Sequence, residues 1–250
     1  MKLPVACALL LSSLAAFAPV SAQTPVVPDW ALPGSATHQQ VPPPKGFHRA
    51  TRTETHPIGI FAGQSDIGGA LVPGSASFDP VTKRYTIDSA GYNIWYNRDE
   101  FHYLWTKISG DFTLAADIAF PKPGGYDDRK VVLIARQDLD DDAKEVMTAL
   151  HGGGLIHLAY RPSKDADIQE ATRITTKKDP AKPSHVRLGI EKRGDTYTLL
   201  VSEHGEPLHA TGKTATLHLD APFYVGIGFT SHLPVTPDEA IVSNVELKAP

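Results

Sequence analysis

Between residues 84 and 247 the chain runs in short segments where apolar and polar residues alternate, each closed by Gly, Asp, Asn or Pro. Strand side chains alternate between two faces, whereas helical ones recur about every 3.6 residues, so the pattern admits strands and leaves no amphipathic helix of useful length. Phe112 to Phe120 shows it most clearly: Phe112, Leu114, Ala116, Ile118 and Phe120 share one parity, with Thr113 and Asp117 on the other. One face is core and the other meets water. Lys130 to Gln137 differs, with Val132 and Ile134 on one side and Val131, Leu133 and Ala135 on the other. It predicts a central strand covered on both faces, closed by Arg136, where an unpaired charge would be costly.

The same reading places strands at Arg84 to Ile87, Tyr92 to Trp95, Phe101 to Ser109, Glu145 to Leu150, Leu155 to Arg161 and Ile168 to Thr175. It continues through His185 to Lys192, Thr196 to Ser202, Leu208 to Leu219, Tyr224 to Thr230 and Ile241 to Leu247. Gly110-Asp111, Gly152-Gly153-Gly154 and Gly194-Asp195 offer left-handed turn positions, which predicts antiparallel hairpins across each. So many strands curl or split rather than form one open sheet. The expected architecture is all-β, a two-sheet antiparallel jelly-roll sandwich.

The N-terminus reads as a leader. Lys2 gives a positive start, Val5 to Phe17 is almost wholly apolar, and Val20-Ser21-Ala22 fits small-residue cleavage. The apolar run falls short of the roughly 20 residues a membrane span needs, so no membrane insertion is expected. Cys7 lies within this leader and is the only cysteine, so the mature chain relies on its core rather than on disulfides. The expected organisation is a signal peptide over 1–22, a Pro-rich N-terminal arm over 23–60 containing Pro42-Pro43-Pro44, and one sandwich domain over 61–250. Trp30 and Phe47 are the arm's candidates for docking onto the body. Such a protein is exported, to the periplasm or the medium. A net charge of −4 provides no basic footprint for nucleic acid.

Asp66-Ile67-Gly68, Gly74, Tyr85, Gly91, Ile94-Trp95, Asp99, Phe101, Tyr103, Gly110-Asp111-Phe112, Arg129-Lys130, Arg136, Gly154-Leu155 and Arg161 form a further pattern. From about Gly63 to Leu247 the chain resembles bacterial concanavalin A-like, laminin G-like jelly-roll domains. These occur alone behind signal peptides, appended to glycoside hydrolases, or joined to TolB-like propellers in proteins named biopolymer transporters. The resemblance implies carbohydrate recognition, with a carbohydrate or polysaccharide as partner.

Sugars are held by aromatic faces and planar polar groups. The candidate ligand-binding residues are Trp95, His102, Trp105, Arg136, His151 and Tyr160. Phe101, Tyr103 and Trp105 share a parity, and an aromatic stripe on a strand is more often core than binding surface. His102 faces the other way. Closing the acidic turn Asp138 to Asp142 into a hairpin would bring Arg136 towards His151; the alternative has Arg136 pairing with a turn carboxylate.

No cofactor is expected, although a structural calcium remains open, at the acidic turn or through Asp66 or Asp79. An EF-hand is excluded, because Ala143 and Ala149 stand where its Gly and bidentate Glu belong. The histidines form no HExxH motif; His151 and His157 bracket the Gly152 to Gly154 turn, and His204, His209 and His218 fall in surface hairpins. Arg193-Gly194-Asp195 reads as a turn. For catalysis, the Glu-x-Asp-x-Glu strand of jelly-roll glucanases is missing, while Arg136, His151, His102 and Tyr160 would supply a lyase-like set. Enzyme status is open, with the balance towards none. Three functions follow: non-catalytic glycan binding, glycan hydrolysis or lysis, and a structural envelope role with a protein partner. Binding calls for an open groove with aromatics, hydrolysis for two carboxylates about 5–10 Å apart, and protein contact for an exposed apolar patch.

Overall fold

The computed structural model describes residues 28–32, 35–36, 42–176 and 186–249. The leader with Cys7, the side chain of Trp30 and the strand start at His185 lie outside the described residues. The strands are β1 (Arg52–Glu54), β2 (Gly63–Ile67), β3 (Ser75–Asp79), β4 (Arg84–Ser89), β5 (Ile94–Trp95), β6 (Arg98–Asp99), β7 (Phe101–Ile108), β8 (Phe112–Ala119) and β9 (Lys130–Arg136). They continue as β10 (Glu145–His151), β11 (Leu155–Arg161), β12 (Gln169–Thr175), β13 (Val186–Arg193), β14 (Thr196–Ser202), β15 (His209–Thr216), β16 (Phe223–Thr230) and β17 (Asp238–Lys248).

Two antiparallel sheets form the sandwich. One has eight strands in the order β1-β2-β7-β16-β9-β10-β11-β12, and the other seven in the order β15-β14-β13-β8-β17-β4-β3. Parity sorts the side chains as the alternation requires. Leu114, Ala116 and Ile118 of β8 meet Val131, Leu133 and Ala135 of β9 in the core between the sheets. Every residue of β9 is buried, because its other face, with Val132 and Ile134, carries a second apolar cluster on the outside of the eight-stranded sheet.

That second cluster explains the aromatic stripe of β7. Phe101, Tyr103 and Trp105 all belong to it, beside Met147 and Ala149 of β10. Room for Phe101 comes from Gly228 of the neighbouring strand, where a Cβ would fall 2.4 Å from the ring.

Gly154 and Gly194 adopt φ of 90° and 57° and turn β10 into β11 and β13 into β14. Gly110 is also left-handed, at φ 84°, yet it joins no hairpin: β7 and β8 lie in different sheets, and the turn is a crossover. A left-handed glycine reverses the chain equally well in either setting. Four strands were not expected: Arg52–Glu54, Gly63–Ile67 and Ser75–Asp79, all rich in small or polar residues and near sheet edges, and the two-residue Arg98–Asp99.

The described part of the arm is docked. Ala31 and Phe47 pack with Tyr92 and Tyr96, Arg98 lies 5.0 Å over the Phe47 ring, and β1 extends the eight-stranded sheet. His48 Nδ1 lies 2.8 Å from Asp141, and Arg49 donates to Glu100 at 3.1 Å.

Candidate functional site

Strand register arranges the outer-face residues of β9, β10 and β11 in four rows. Lys130 stands opposite His151; Val132 aligns with Ala149 and His157; Ile134 aligns with Met147 and Ala159; Arg136 aligns with Glu145 and Arg161. The face is therefore basic and imidazole-bearing at one end, apolar in the middle and ionic at the other end. The hairpin β5–β6 and the segment leading to Ile168 lie across it. Ile94 and Ile168 seal the apolar rows, and the Ile168 N–H donates to the Tyr96 carbonyl at 3.0 Å.

At the ionic end the cover inserts Asp99. Its carboxylate accepts from Arg161 at 2.7 and 2.8 Å and from Arg136 at 2.7 Å, while Glu145 pairs with Arg136 and lies 3.4 Å from Arg161. Arg136, Asp99, Glu145 and Arg161 are all 0% exposed. Burial alone would raise the Asp99 pKa, but Arg161 and Arg136 hold it below the usual carboxylate value; burial and the Asp99 charge push Glu145 up.

This geometry corrects the pairing of Arg136 with His151. The acidic turn does close a hairpin, but it sets Arg136 against Glu145 and leaves His151 six residues further along β10, about 20 Å away at strand rise. Arg136 also donates to the Asp138 and Asp140 carbonyls, so four of the five hydrogens of its fork are used inside the protein, and the whole group is closed off from solvent.

The other candidates disperse. His102 is 3% exposed, with Nδ1 2.8 Å from Asp66 and Nε2 3.1 Å from Gln64. Trp105 is buried on the outer face and donates to Ser65 Oγ at 2.9 Å. Tyr160 packs against the core between the sheets, on the opposite face of β11 from His157, and donates to Gln169 at 2.8 Å. The lyase-like set is therefore not assembled. Only Trp95 and His151 meet in one cavity.

That cavity is a cleft of about 250 Å³ where the cover stops short of the first row. Its lining includes Asn93, Trp95 and Tyr96 of the cover, Asp128, Lys130, His151, His157, and Glu170 with Arg173 of β12. The Trp95 ring stands 5.3 Å from His157 and 5.8 Å from Lys130 Nζ. His151 and His157 meet edge to face at 5.0 Å. Both His151 ring nitrogens and His157 Nε2 are buried without a hydrogen-bond partner; His151 Nδ1 is 3.4 Å from Asp128. Lys130 is 2% exposed and donates to Asn93 Oδ1 at 2.6 Å.

Burial sets the protonation states. It pushes Lys130 down to about 8 and His151 down to about 4, and His157 well below its usual value. The His151 ring, ahead of the charges of His232 and Lys130, holds Asp128 down to about 2 despite partial burial. At neutral pH His151 and His157 are neutral imidazoles beside a buried ammonium and the Asp128 carboxylate, and His232, Glu170 and Arg173 complete the polar lining.

A pH dependence of stability follows. The unfolded chain protonates this imidazole from pH 6.5 downward and the folded chain only near pH 4, so stability falls through that window by on the order of 3 kcal/mol for His151. His151→Gln is expected to flatten the slope in urea unfolding across it. Equal slopes in both proteins would refute the assignment.

The carboxylates considered for calcium have partners within the protein. Asp66 accepts from the Gly74 N–H and contacts His102 and Arg52, and Asp79 caps its own turn through Val81 and Thr82. Near the acidic turn, His48, Asp142 and Asp165 bring ligand atoms within 4.8 Å of one another. Lys164 already supplies a cation there, against Asp140 and 3.4 Å from Asp142.

Lys130, His157 and Asp128 are cleft residues that the ligand-binding expectation missed. The cost of a charge in a buried strand, applied to Arg136, applies equally to Lys130 at the other end of β9. His151 and His157 were bracketed only as a metal pair; their shared parity across the hairpin was the stronger signal.

No family model matches the chain, and no curated protein matches it in sequence. Solved structures match the fold. A functionally unknown protein from Saccharomyces cerevisiae is 14% identical with a TM-score of 0.52, over 70% of this chain and 92% of that one. The xyloglucan PUL GH43B protein of Bacteroides ovatus is 15% identical with a TM-score of 0.52, over 83% and 41%. The GH43 protein BlXynB of Bacillus licheniformis is 10% identical with a TM-score of 0.51, over 70% and 35%. This chain thus spans about two-fifths and one-third of the two GH43 chains. The likeness is one of fold, a two-sheet β-sandwich.

Proposed function

We propose that this is an exported cell-envelope β-sandwich that binds carbohydrate without turning it over, taking a single sugar unit in the cleft beside Trp95. The observation that carries the reading is the convergence of an indole with buried, unpartnered imidazole nitrogens and a lysine ammonium in one small cavity. An apolar ring suits the C–H face of a sugar, and the polar groups suit its hydroxyls. Export rests on the leader-like start, Lys2 and Val5 to Ala22.

Two features favour binding of one unit over processing of a polymer. The groove expected of a binding sandwich is filled by Ile94, Ile168 and the Asp99 ion cluster, so a long chain has no path along the sheet. A general acid in glycoside hydrolysis needs a raised pKa, and Asp128 is shifted the other way. A protein-contact role finds less support: the exposed large hydrophobics among the described residues, Ile60, Val81, Tyr126 and Val235, sit in four separate connections. The likeness in fold to sandwiches within chains named GH43 agrees with a glycan partner.

A glycan array probed with the mature chain and with Trp95→Ala tests this. The intact protein is expected to retain glycans, and the variant to bind them at least about tenfold more weakly, a loss of roughly 1.4 kcal/mol. An empty array, or undiminished binding by the variant, would overturn the reading.

A further inference from the structure

Resting on that carbohydrate reading, we infer that the unit held in the cleft is an acidic sugar of the uronic-acid type, whose carboxylate meets Lys130 Nζ at the cleft floor. Lys130 is the deepest charge there and is almost fully buried, yet its hydrogen-bond partner is a neutral amide, Asn93 Oδ1. Among the described residues no carboxylate comes within ion-pair distance of Nζ, and only one of its three hydrogens has an acceptor, the Asn93 amide oxygen. A buried ammonium without a carboxylate in contact is costly, and an incoming carboxylate supplies one.

The surrounding charges sort by depth in the way such a ligand requires. Asp128 has a side chain 51% exposed and stands at the rim beside His151. Glu170 is held by Arg173 through three hydrogen bonds, so its charge is matched locally. Asp99 is matched by Arg136 and Arg161. An anion reaching the floor therefore passes one carboxylate, held at the rim against His151, and ends at a cation on which Asp128 and Asp99 act only from beyond ion-pair distance. The unpartnered nitrogens of His151 and His157 are neutral, each ring offering one donor and one acceptor, which suits the hydroxyls of a pyranose ring. Asp128 can only accept, and so faces a hydroxyl rather than the carboxylate.

The test uses calorimetry on the mature chain with methyl glucuronide and galacturonide, their neutral parents methyl glucoside and galactoside, and acetate. A uronide is expected to bind at least about tenfold more tightly than its neutral parent, and Lys130→Met to abolish that preference while remaining folded by circular dichroism. Should a neutral glycoside bind as tightly as its uronide, the charge assignment fails while carbohydrate binding stands. If acetate matches the uronides, a carboxylate site exists but the saccharide is wrong. Binding of none of the five, with an empty glycan array, would remove the carbohydrate reading itself. Retention of the preference by Lys130→Met would also overturn the proposal, whereas His151→Gln and His157→Gln are expected to weaken uronide and neutral glycoside alike.

Discussion

Asp99→Ala is expected to cost the folded state about 3–5 kcal/mol, the range for breaking a buried ion pair by removing one partner. Among the described residues Asp99 is the only carboxylate that accepts from both guanidinium groups of Arg136 and Arg161, and none of the three is exposed. Without it, two buried cations share Glu145, whose carboxyl burial already pushes towards the protonated form. Domains have total stabilities of only about 5–15 kcal/mol, so this single change brings the protein close to unfolding at ordinary temperature. Glu145→Gln is expected to cost clearly less, because Asp99 carries the dominant negative charge. Chemical denaturation of the two variants decides it: a Glu145→Gln loss equal to or larger than that of Asp99→Ala would show the charge assigned to the wrong carboxyl. The same cluster makes Arg136→Ala a folding variant and no control for binding.

Lys130→Met is expected to act in the opposite direction and stabilise the protein by roughly 2–3 kcal/mol at neutral pH. The folded-state pKa of about 8 lies below the ordinary 10.5, which corresponds to on the order of 3 kcal/mol spent keeping the ammonium charged when buried. Methionine fills a similar volume without the charge. Asn93 Oδ1 is not orphaned by the change, since it still accepts from the Ile94 N–H at 2.9 Å. The sign with pH is fixed: between pH 8 and 10.5 the unfolded chain binds the extra proton, so the wild type gains stability as pH rises through that window and the advantage of the variant fades. Thermal melts at about pH 7 and about pH 9.5 read both effects. A destabilised variant, or a gap that does not narrow in alkali, would contradict the account of Lys130. A side chain that weakens the fold where it stands, at the floor of a cleft, agrees with the ligand role proposed for Lys130.

Much of the architecture was legible because strand parity is a local property. Phe112 to Phe120 displayed its core face, and the doubly apolar β9 announced a cover on both sides before either was known. Gly152 to Gly154 and Gly194 marked hairpins correctly, but Gly110 marked a crossover, since a left-handed residue reverses the chain without saying which strand pairs next. Gly63–Ile67 and the edge strand Ser75–Asp79 were silent because small polar residues carry little periodic signal.

The candidate site was read less well. Trp95 and His151 were found, while His102, Trp105, Arg136 and Tyr160 belong to four other environments. His102 and Arg136 drew attention as polar groups in buried strands, and both prove to be satisfied, by Asp66 with Gln64 and by Asp99 with Glu145. Asp66 and Asp99 lie 36 and 37 residues away in sequence from the partners they satisfy. No local pattern links such pairs.

By itself the sequence determined the all-β character, the two faces of the central strands and the presence of costly charges at both ends of β9, since alternation and burial cost act residue by residue. Only the tertiary structure decided which of those charges is neutralised within the protein and which is left for something else. That depends on the segment from Gly91 to Asp99 folding back over the sheet, so that Asp99 reaches Arg136 while Lys130 meets the amide of Asn93.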